Sequence, residues 1–282
     1  MAENQSQLDY WNSASGQKWI KFEDELDVVF GAVNEALIAR AQPKFGERVI
    51  DIGCGTGATT RAFTQHLGQE GYVTAIDISE PLLSRARFRA KDVTVRTEYL
   101  LMDAQTDQIE GGPFDLATSR FGVMFFTDVI AAFQNIRSTL RPGGRLVVVG
   151  WAAMQDNPWL QVPRDGAATR LGQADKSDPN SPGPLGFQNT EHVTDLLEKA
   201  GFCEVAAERS LVTLRHSGPV ETIAALASNI GPAARILKQY DGSQEDIEAI
   251  ISHVSTNFQD FETPEGFKIP AWLNFFSAVN PL

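Results

Sequence analysis

Apolar residues recur along the chain with more than one period. Over residues 24–41, DELDVVFGAVNEALIARA, the positions Leu26, Val29, Phe30, Val33 and Leu37 fall at i, i+3, i+4, i+7 and i+11, the stripe of an amphipathic helix. From about residue 45 onward, short apolar runs alternate with helical stretches. RVIDIG, GYVTAID, TEYLLMD, FDLATSR and RLVVVGW predict five strands, the first two as buried apolar runs. Between them ATTRAFTQHLG, SEPLLSRARFRA and TDVIAAFQNIRSTL predict helices, the first stopped by Gly68 and the second capped by Ser79 with Pro81 in its first turn. RPGG, just before the fifth strand, predicts a turn. Strands separated by helices in this way predict an α/β fold whose parallel sheet is covered on both faces.

After Trp151 the alternation stops. Residues 152–188, which include DKSDPNSPGPLG, predict an insertion or loop rather than a core element. Structure resumes with a helix capped at Thr190 and stopped at Gly201, then the strand CEVAAERSLVTLRH. Three helices follow, VETIAALASNI, AARILKQY and SQEDIEAIISHVSTNF, and then the strand FKIPAWLNFFSAVN, whose Pro270 suits an edge or strand-end position.

Composition narrows the functional classes. The chain has 282 residues, 43% of them apolar, enough for a substantial core. A net charge of −12 argues against nucleic acid as a partner. Two cysteines, Cys54 and Cys203, and four scattered histidines, His66, His192, His216 and His253, suggest neither a disulfide framework nor a metal site. The polar N-terminal stretch has no secretory pattern and no apolar run is long enough for a bilayer, so a cytoplasmic setting is expected.

The chemistry concentrates in VIDIGCGTGATT, residues 49–60. Gly53, Gly55 and Gly57 follow a strand and open a helix, the place where an open parallel sheet binds ligands. A dinucleotide loop reads G-x-G-x-x-G, with the pyrophosphate on the helix N-terminus. This loop reads G-x-G-x-G, and Asp51 precedes it where a carboxylate would sit poorly beside a pyrophosphate. A carboxylate there suits an ammonium group, which points to S-adenosylmethionine, with the loop N–H groups left to serve its carboxylate. Asp77, ending the second strand, is placed to accept from ribose hydroxyls, and Asp103, ending the third, to accept from an adenine amine.

At these residues the chain resembles the class I S-adenosylmethionine-dependent methyltransferases. DIGCGTG, AIDIS, MDAQ, FDLATSRFGVMFF and LRPGGRL match their successive motifs over about residues 45–150. The N-terminal YWNSASGQKW is similar to a bacterial small-molecule subgroup related to the ubiquinone/menaquinone-biosynthesis methyltransferases. The resemblance implies a doubly wound, mostly parallel, seven-stranded Rossmann-like sheet. It implies a helical lid at 1–41, a cofactor-binding core at 42–151 and a substrate-side, C-terminal completion at 152–282, all one integrated domain. It places Asp51, Gly53, Gly55 and Gly57 at the methionine end of the cofactor, Asp77 at the ribose, and Ile78, Asp103 and Ala104 at the adenine. Ser119, Arg120 and Phe121 would lie near the sulfonium and the substrate, and Tyr10, Trp11 and Trp19 would close over the cofactor, with Lys18 a further candidate. Arg120 and Tyr10 are also candidate catalytic groups, as is Asp156. Trp151, Met154 and Trp159 would give an apolar pocket for a small, partly hydrophobic or aromatic acceptor, methylated by in-line displacement. An NAD-dependent oxidoreductase and a non-catalytic S-adenosylmethionine-binding module remain as alternatives.

Overall fold

Runs that are apolar at every position have no face for water, so they form strands covered on both sides. In the computed structural model, which describes residues 4–282 apart from positions 92, 176 and 177, these runs build one sheet. Its strands are β1 (Arg48–Ile52), β2 (Tyr72–Asp77), β3 (Arg96–Leu101), β4 (Phe114–Arg120), β5 (Leu140–Trp151), β6 (Cys203–His216), β7 (Glu262–Thr263) and β8 (Gly266–Val279). The order is β3-β2-β1-β4-β5-β8-β6, with the two-residue β7 paired to β8. Strands β1 to β5 are parallel, and β8 runs antiparallel between β5 and β6. The seven strands on this path match the doubly wound expectation. Strand order reverses between β1 and β4, which opens a crevice at their carboxyl ends.

The helices are α1 (Gln5–Trp11), α2 (Ala14–Lys21), α3 (Glu23–Val29), α4 (Gly31–Ala41), α5 (Ala58–Leu67) and α6 (Glu80–Arg89). They continue as α7 (Val129–Ser138), α8 (Pro158–Leu171), α9 (Thr190–Lys199), α10 (Val220–Asn229), α11 (Pro232–Gln239) and α12 (Gln244–Phe258).

Several boundaries differ from the sequence reading, each for a physical reason. The helix expected over 24–41 is two helices that break at Phe30. The stripe itself holds, since Leu26, Val29, Phe30, Val33 and Leu37 are all buried. Phe30 is held by Phe121, Trp159 and Trp151, at 5.5, 5.8 and 6.1 Å between ring centroids. The stretch 152–188 is not all loop, because α8 lies within it; positions 176 and 177 fall outside the described residues. Pro163 sits inside α8 and would ordinarily argue against a helix. Burial of Trp159, Leu160, Pro163 and Ala167 outweighs the lost hydrogen bond. RPGG is absorbed into β5, which begins at Leu140 with a register shift opposite Phe114 and Leu116. The cap of α9 is Asn189 rather than Thr190, with its side chain accepting from the His192 N–H. Ser79 precedes α6, but its hydroxyl donates to the Trp11 carbonyl at 2.9 Å instead of capping the helix. Pro270 lies in an interior strand, beyond the stretch of β8 that pairs with β5, so no β5 partner is left unbonded.

One buried side chain ties the α8 region to the sheet. Asn157, fully buried, donates to the carbonyls of Ala153 and Trp272 at 3.0 and 3.1 Å and accepts from the Trp272 N–H at 2.9 Å. Asn157→Ala leaves these backbone groups unpaired, and an expected loss of about 2–4 kcal/mol should appear in urea unfolding. A loss near zero would show that the knot is not structural.

Candidate active site

The loops after β1 and β4 meet at the switch point. Gly53 has φ of 66°, and a Cβ there would stand 2.8 Å from the Gly122 Cα. The Ser119 hydroxyl donates to the Ile52 carbonyl at 2.7 Å and accepts from the Val123 N–H at 3.3 Å. This fastening opens a cleft lined by the glycine loop, by the ends of β2, β3 and β4, and by the N-terminal segment.

Of the residues singled out from the sequence, Trp11, Trp19, Gly53, Gly55, Asp77, Ile78, Asp103, Ala104, Arg120 and Phe121 line this one cleft. Lys18, Tyr10, Ser119, Gly57 and Asp51 do not line it. Tyr10 is half-exposed and packs edge-on against Trp11 at 5.2 Å. Ser119 is spent on the loop fastening described above. Gly57 starts α5 with φ of 83°, where a Cβ would press on the Ala86 Cβ at 3.2 Å. Asp51 lies beneath the loop, buried, with Oδ2 accepting from the Thr60 hydroxyl at 2.6 Å and Oδ1 without a hydrogen bond.

The expected apolar pocket shifts as well. Trp151 and Trp159 are core residues, and Phe121 stacks on Trp151 at 5.0 Å with the planes 4° apart. Asp156 pairs with Arg209 at 2.9 Å and does not line the cleft. The apolar wall is instead Trp11, Trp19, Met102, Phe121, Phe125 and Phe126. Met102 was hidden in the sequence as a strand-end residue. Asn4, another lining residue that sequence reasoning missed, lies in a polar stretch with no periodic signal.

The N-terminal segment is latched over the cleft. The Asn4 amide donates to both oxygens of Asp103, at 3.2 and 3.1 Å. Asn12 donates to the Ile78 carbonyl at 3.2 Å, and Trp11 meets Phe125 edge-on at 5.0 Å. Behind the latch, Glu23 and Asp27 of α3 pair with Arg85 and Arg89 of α6.

The backbone donors of the glycine loop turn inward. The N–H groups of Gly53 and Cys54 donate to the Ile76 carbonyl at 2.9 and 3.0 Å, and that of Gly57 to the Cys54 carbonyl at 3.0 Å. The Gly55 N–H donates to Asp77 Oδ2 at 2.8 Å, and the Ser79 N–H to its Oδ1 at 2.9 Å. A Cβ at Gly55 would meet nothing within 4 Å, so the loop leaves open space above it.

Burial pushes the Asp51 and Asp77 carboxyls up to about 6, against 3.8 for a solvated aspartate. For Asp51 the Thr60 hydroxyl and Arg120 pull the other way; for Asp77 the N–H groups of Gly55, Ser79 and Ile78 do so. Burial also lowers the Arg120 pKa, while Asp27 and Asp51 hold its charge. Arg120 lines the cleft, and its Nη1 is sealed from water with no hydrogen bond among the described residues.

Residues 49–144 match the family model described as "Methyltransferase domain". The match takes in about a third of the chain, around the glycine loop. A ubiquinone/menaquinone biosynthesis C-methyltransferase, UbiE of Paraburkholderia phymatum, is 35% identical over 134 residues, 46% of this chain and 55% of its own. Aklanonic acid methyltransferase DauC of a Streptomyces species is 33% identical over 118 residues, 42% of this chain and 54% of its own. The chain thus spans about half the length of the curated relatives it matches. The crystal structure of YcgJ from Bacillus subtilis shares the fold, with a TM-score of 0.56 at 15% identity, covering 88% of this chain and 98% of that one. The matched segment holds the glycine loop, β2, β3, β4, most of β1 and the first residues of β5, so most of the cleft's lining lies within it.

The raised Asp51 pKa has a measurable sign. Between pH 3.8 and about 6 the folded state holds a proton that the unfolded state has lost, so this residue's contribution to stability falls as pH rises through that window. Asp51→Asn keeps an acceptor for Thr60 without the charge. Without ligand at pH 7.5 it should be more stable than the parent by on the order of 1–3 kcal/mol. The gain should shrink toward zero as pH falls to 4, as thermal unfolding would report. A gain that does not vary with pH would contradict the assignment.

Proposed function

We propose that the protein transfers a methyl group from S-adenosylmethionine to a small, partly hydrophobic acceptor. The observation that carries this reading is the inward turn of the loop donors. A pyrophosphate at the loop would face Asp77 and would find the N–H groups of Gly53, Cys54, Gly55 and Gly57 already used. This disfavours the dinucleotide alternative. The cleft fits an adenosine carrying an aminoacyl group. Asp77, with lone pairs left beyond its two N–H bonds, would accept from the ribose hydroxyls. Ile78, Leu82 and Met102 would wall the adenine, beside Asp103 and Ala104.

S-adenosylmethionine supplies a methyl group on positively charged sulfur, already activated for transfer. The protein's work is to align donor and acceptor and keep water out. Trp11, Trp19 and Phe125 cover the cleft and offer ring faces to a cation. Asn4, Asn12 and Ser79 hold this cover down as a lid. The titratable side chains lining the cleft, among the described residues, are Cys54, Asp77, Asp103 and Arg120. None is a free base facing the apolar wall, so the fitting acceptor reaches its nucleophilic form by itself, as a thiolate, a neutral amine or the anion of an acidic phenol. The relatives' names, from ubiquinone/menaquinone biosynthesis and aklanonic acid, agree with a small acceptor.

Calorimetry should show S-adenosylhomocysteine binding and NADH not binding. Incubation with S-adenosylmethionine and a panel of thiols, amines and phenols should yield S-adenosylhomocysteine. Binding of NADH alone would overturn the reading, and cofactor binding without turnover on any acceptor class would favour a non-catalytic module.

A further inference from the structure

We propose that Arg89 is a positioning residue for cofactor binding: its guanidinium sets the tip of the glycine loop, at Thr56, against the docked helix α3. This rests on the cofactor reading above and concerns how the loop is held, not which group of the cofactor it meets.

The tip needs an outside support. Thr56 lines the cleft and stands between Gly55 and Gly57, whose φ of 56° and 83° lie in the left-handed region. A glycine on either side leaves the backbone more conformers to lose on ordering. Inward, the N–H groups of Gly55 and Gly57 are bonded to Asp77 and to the Cys54 carbonyl. Outward, Arg89 is the one side chain bonded to Thr56 among the described residues. Its Nη1 donates to the Thr56 hydroxyl at 3.1 Å and to the Thr56 carbonyl at 3.4 Å.

Helix α6 carries the cation to that spot. Arg89 is its last residue, where a positive group meets the partial negative charge of a helix C-terminus. Ala86, three residues earlier on the same face, is the neighbour that a Cβ on Gly57 would press upon, so α6 runs alongside the loop. The same guanidinium pairs with Glu23 and Asp27 of α3, and the Arg89 side chain is only 8% exposed. A planar fork of N–H groups can serve two carboxylates and Thr56 together, which a lysine ammonium cannot do in this geometry.

The cover does not need Arg89 for its own fastening. Glu23 is also paired with Arg85, and Asp27 lies 3.9 Å from Arg61. Without Arg89 each acid still has a cation, whereas Thr56 loses its outer partner. The link from α3 to the loop is what Arg89 alone supplies, so its loss should appear in cofactor affinity and not only in stability.

Calorimetry with S-adenosylhomocysteine tests this through a double-mutant cycle. Arg89→Met keeps bulk and removes the donors, and should weaken binding about ten-fold. Thr56→Val removes only the hydroxyl and leaves every ion pair in place, and should weaken binding about three-fold. The double variant should bind no more weakly than Arg89→Met alone. Arg85→Met, which unpairs α3 from α6 without touching the loop, should lower the unfolding temperature yet change affinity less than about two-fold. Losses that add in the double variant would mean that the Thr56 hydroxyl serves the ligand directly. Equal losses for Arg85→Met and Arg89→Met would mean a general loosening of the cover. Either result, or unchanged affinity in Thr56→Val, would overturn the positioning role while leaving the cofactor reading standing; Thr56→Val decides the matter even if Arg89→Met does not fold. If the parent protein fails to bind S-adenosylhomocysteine, the cofactor reading falls and the role of Arg89 with it.

Discussion

Everything at the cleft depends on two backbones touching where no side chain fits. The turn after β1 and the turn after β4 meet through Gly53 and Gly122, and a Cβ on Gly122 would stand 2.8 Å from the Ile52 carbonyl oxygen and 2.9 Å from the Gly53 Cα. Closing that gap brings strand ends from both halves of the sheet within reach of one small molecule. It also fixes where the chain may carry charge. Asp51 and Asp77 flank the loop at adjacent strand ends, and Arg120 comes in from the other side of the switch point. A bulkier residue at either glycine would push these groups apart and blunt the chemistry before it unfolded the protein.

The cover over the cleft is fastened by unlike interactions at its two ends. At the far end α3 is bound to α6 through Glu23, Asp27, Arg85 and Arg89, and Arg89 is nearly buried. At the near end the fastening is a single amide, Asn4 on Asp103, with Ser79 and Asn12 gripping the backbone in between. The fastening is thus charged at α3 and neutral at residue 4, where the Asn4 side chain also accepts from the Thr127 hydroxyl at 3.3 Å.

Much of this was legible in the sequence, and the limits follow from kinds of interaction. Strands β1, β2, β4 and β5 could be read because burial leaves mostly apolar runs, whereas β3, at the sheet edge and without a buried residue, was legible only through its place in the alternation. Asp77 and Asp103 could be placed because a strand end is a fixed point in that pattern. Two kinds of feature stayed hidden. One is burial that overrides a local breaker, as at Pro163 inside α8 and at Phe30, where a continuous stripe conceals a bend. The other is hydrogen-bond allocation. The glycine spacing suggested a ligand without phosphate, but not that the loop amides would be spent on Ile76, Cys54 and Asp77, nor that Ser119 would serve the loop junction rather than the cleft. Trp151 and Trp159 looked like pocket walls because bulk and apolarity do not say which side of a sheet a ring fills.

The placement of β8 sets an order of assembly. Its residues form the bridge between β5 and β6, and β6 has no other neighbour in the sheet among the described residues. Strands β1 to β5 are joined by short local crossovers and can pair as they are made. Strand β6 has no ladder partner until residues 266–279 arrive from beyond three intervening helices. The ligand-binding half of the molecule is therefore the part with the lower contact order, and the far edge of the sheet is the slow step, exposed longest to mispairing.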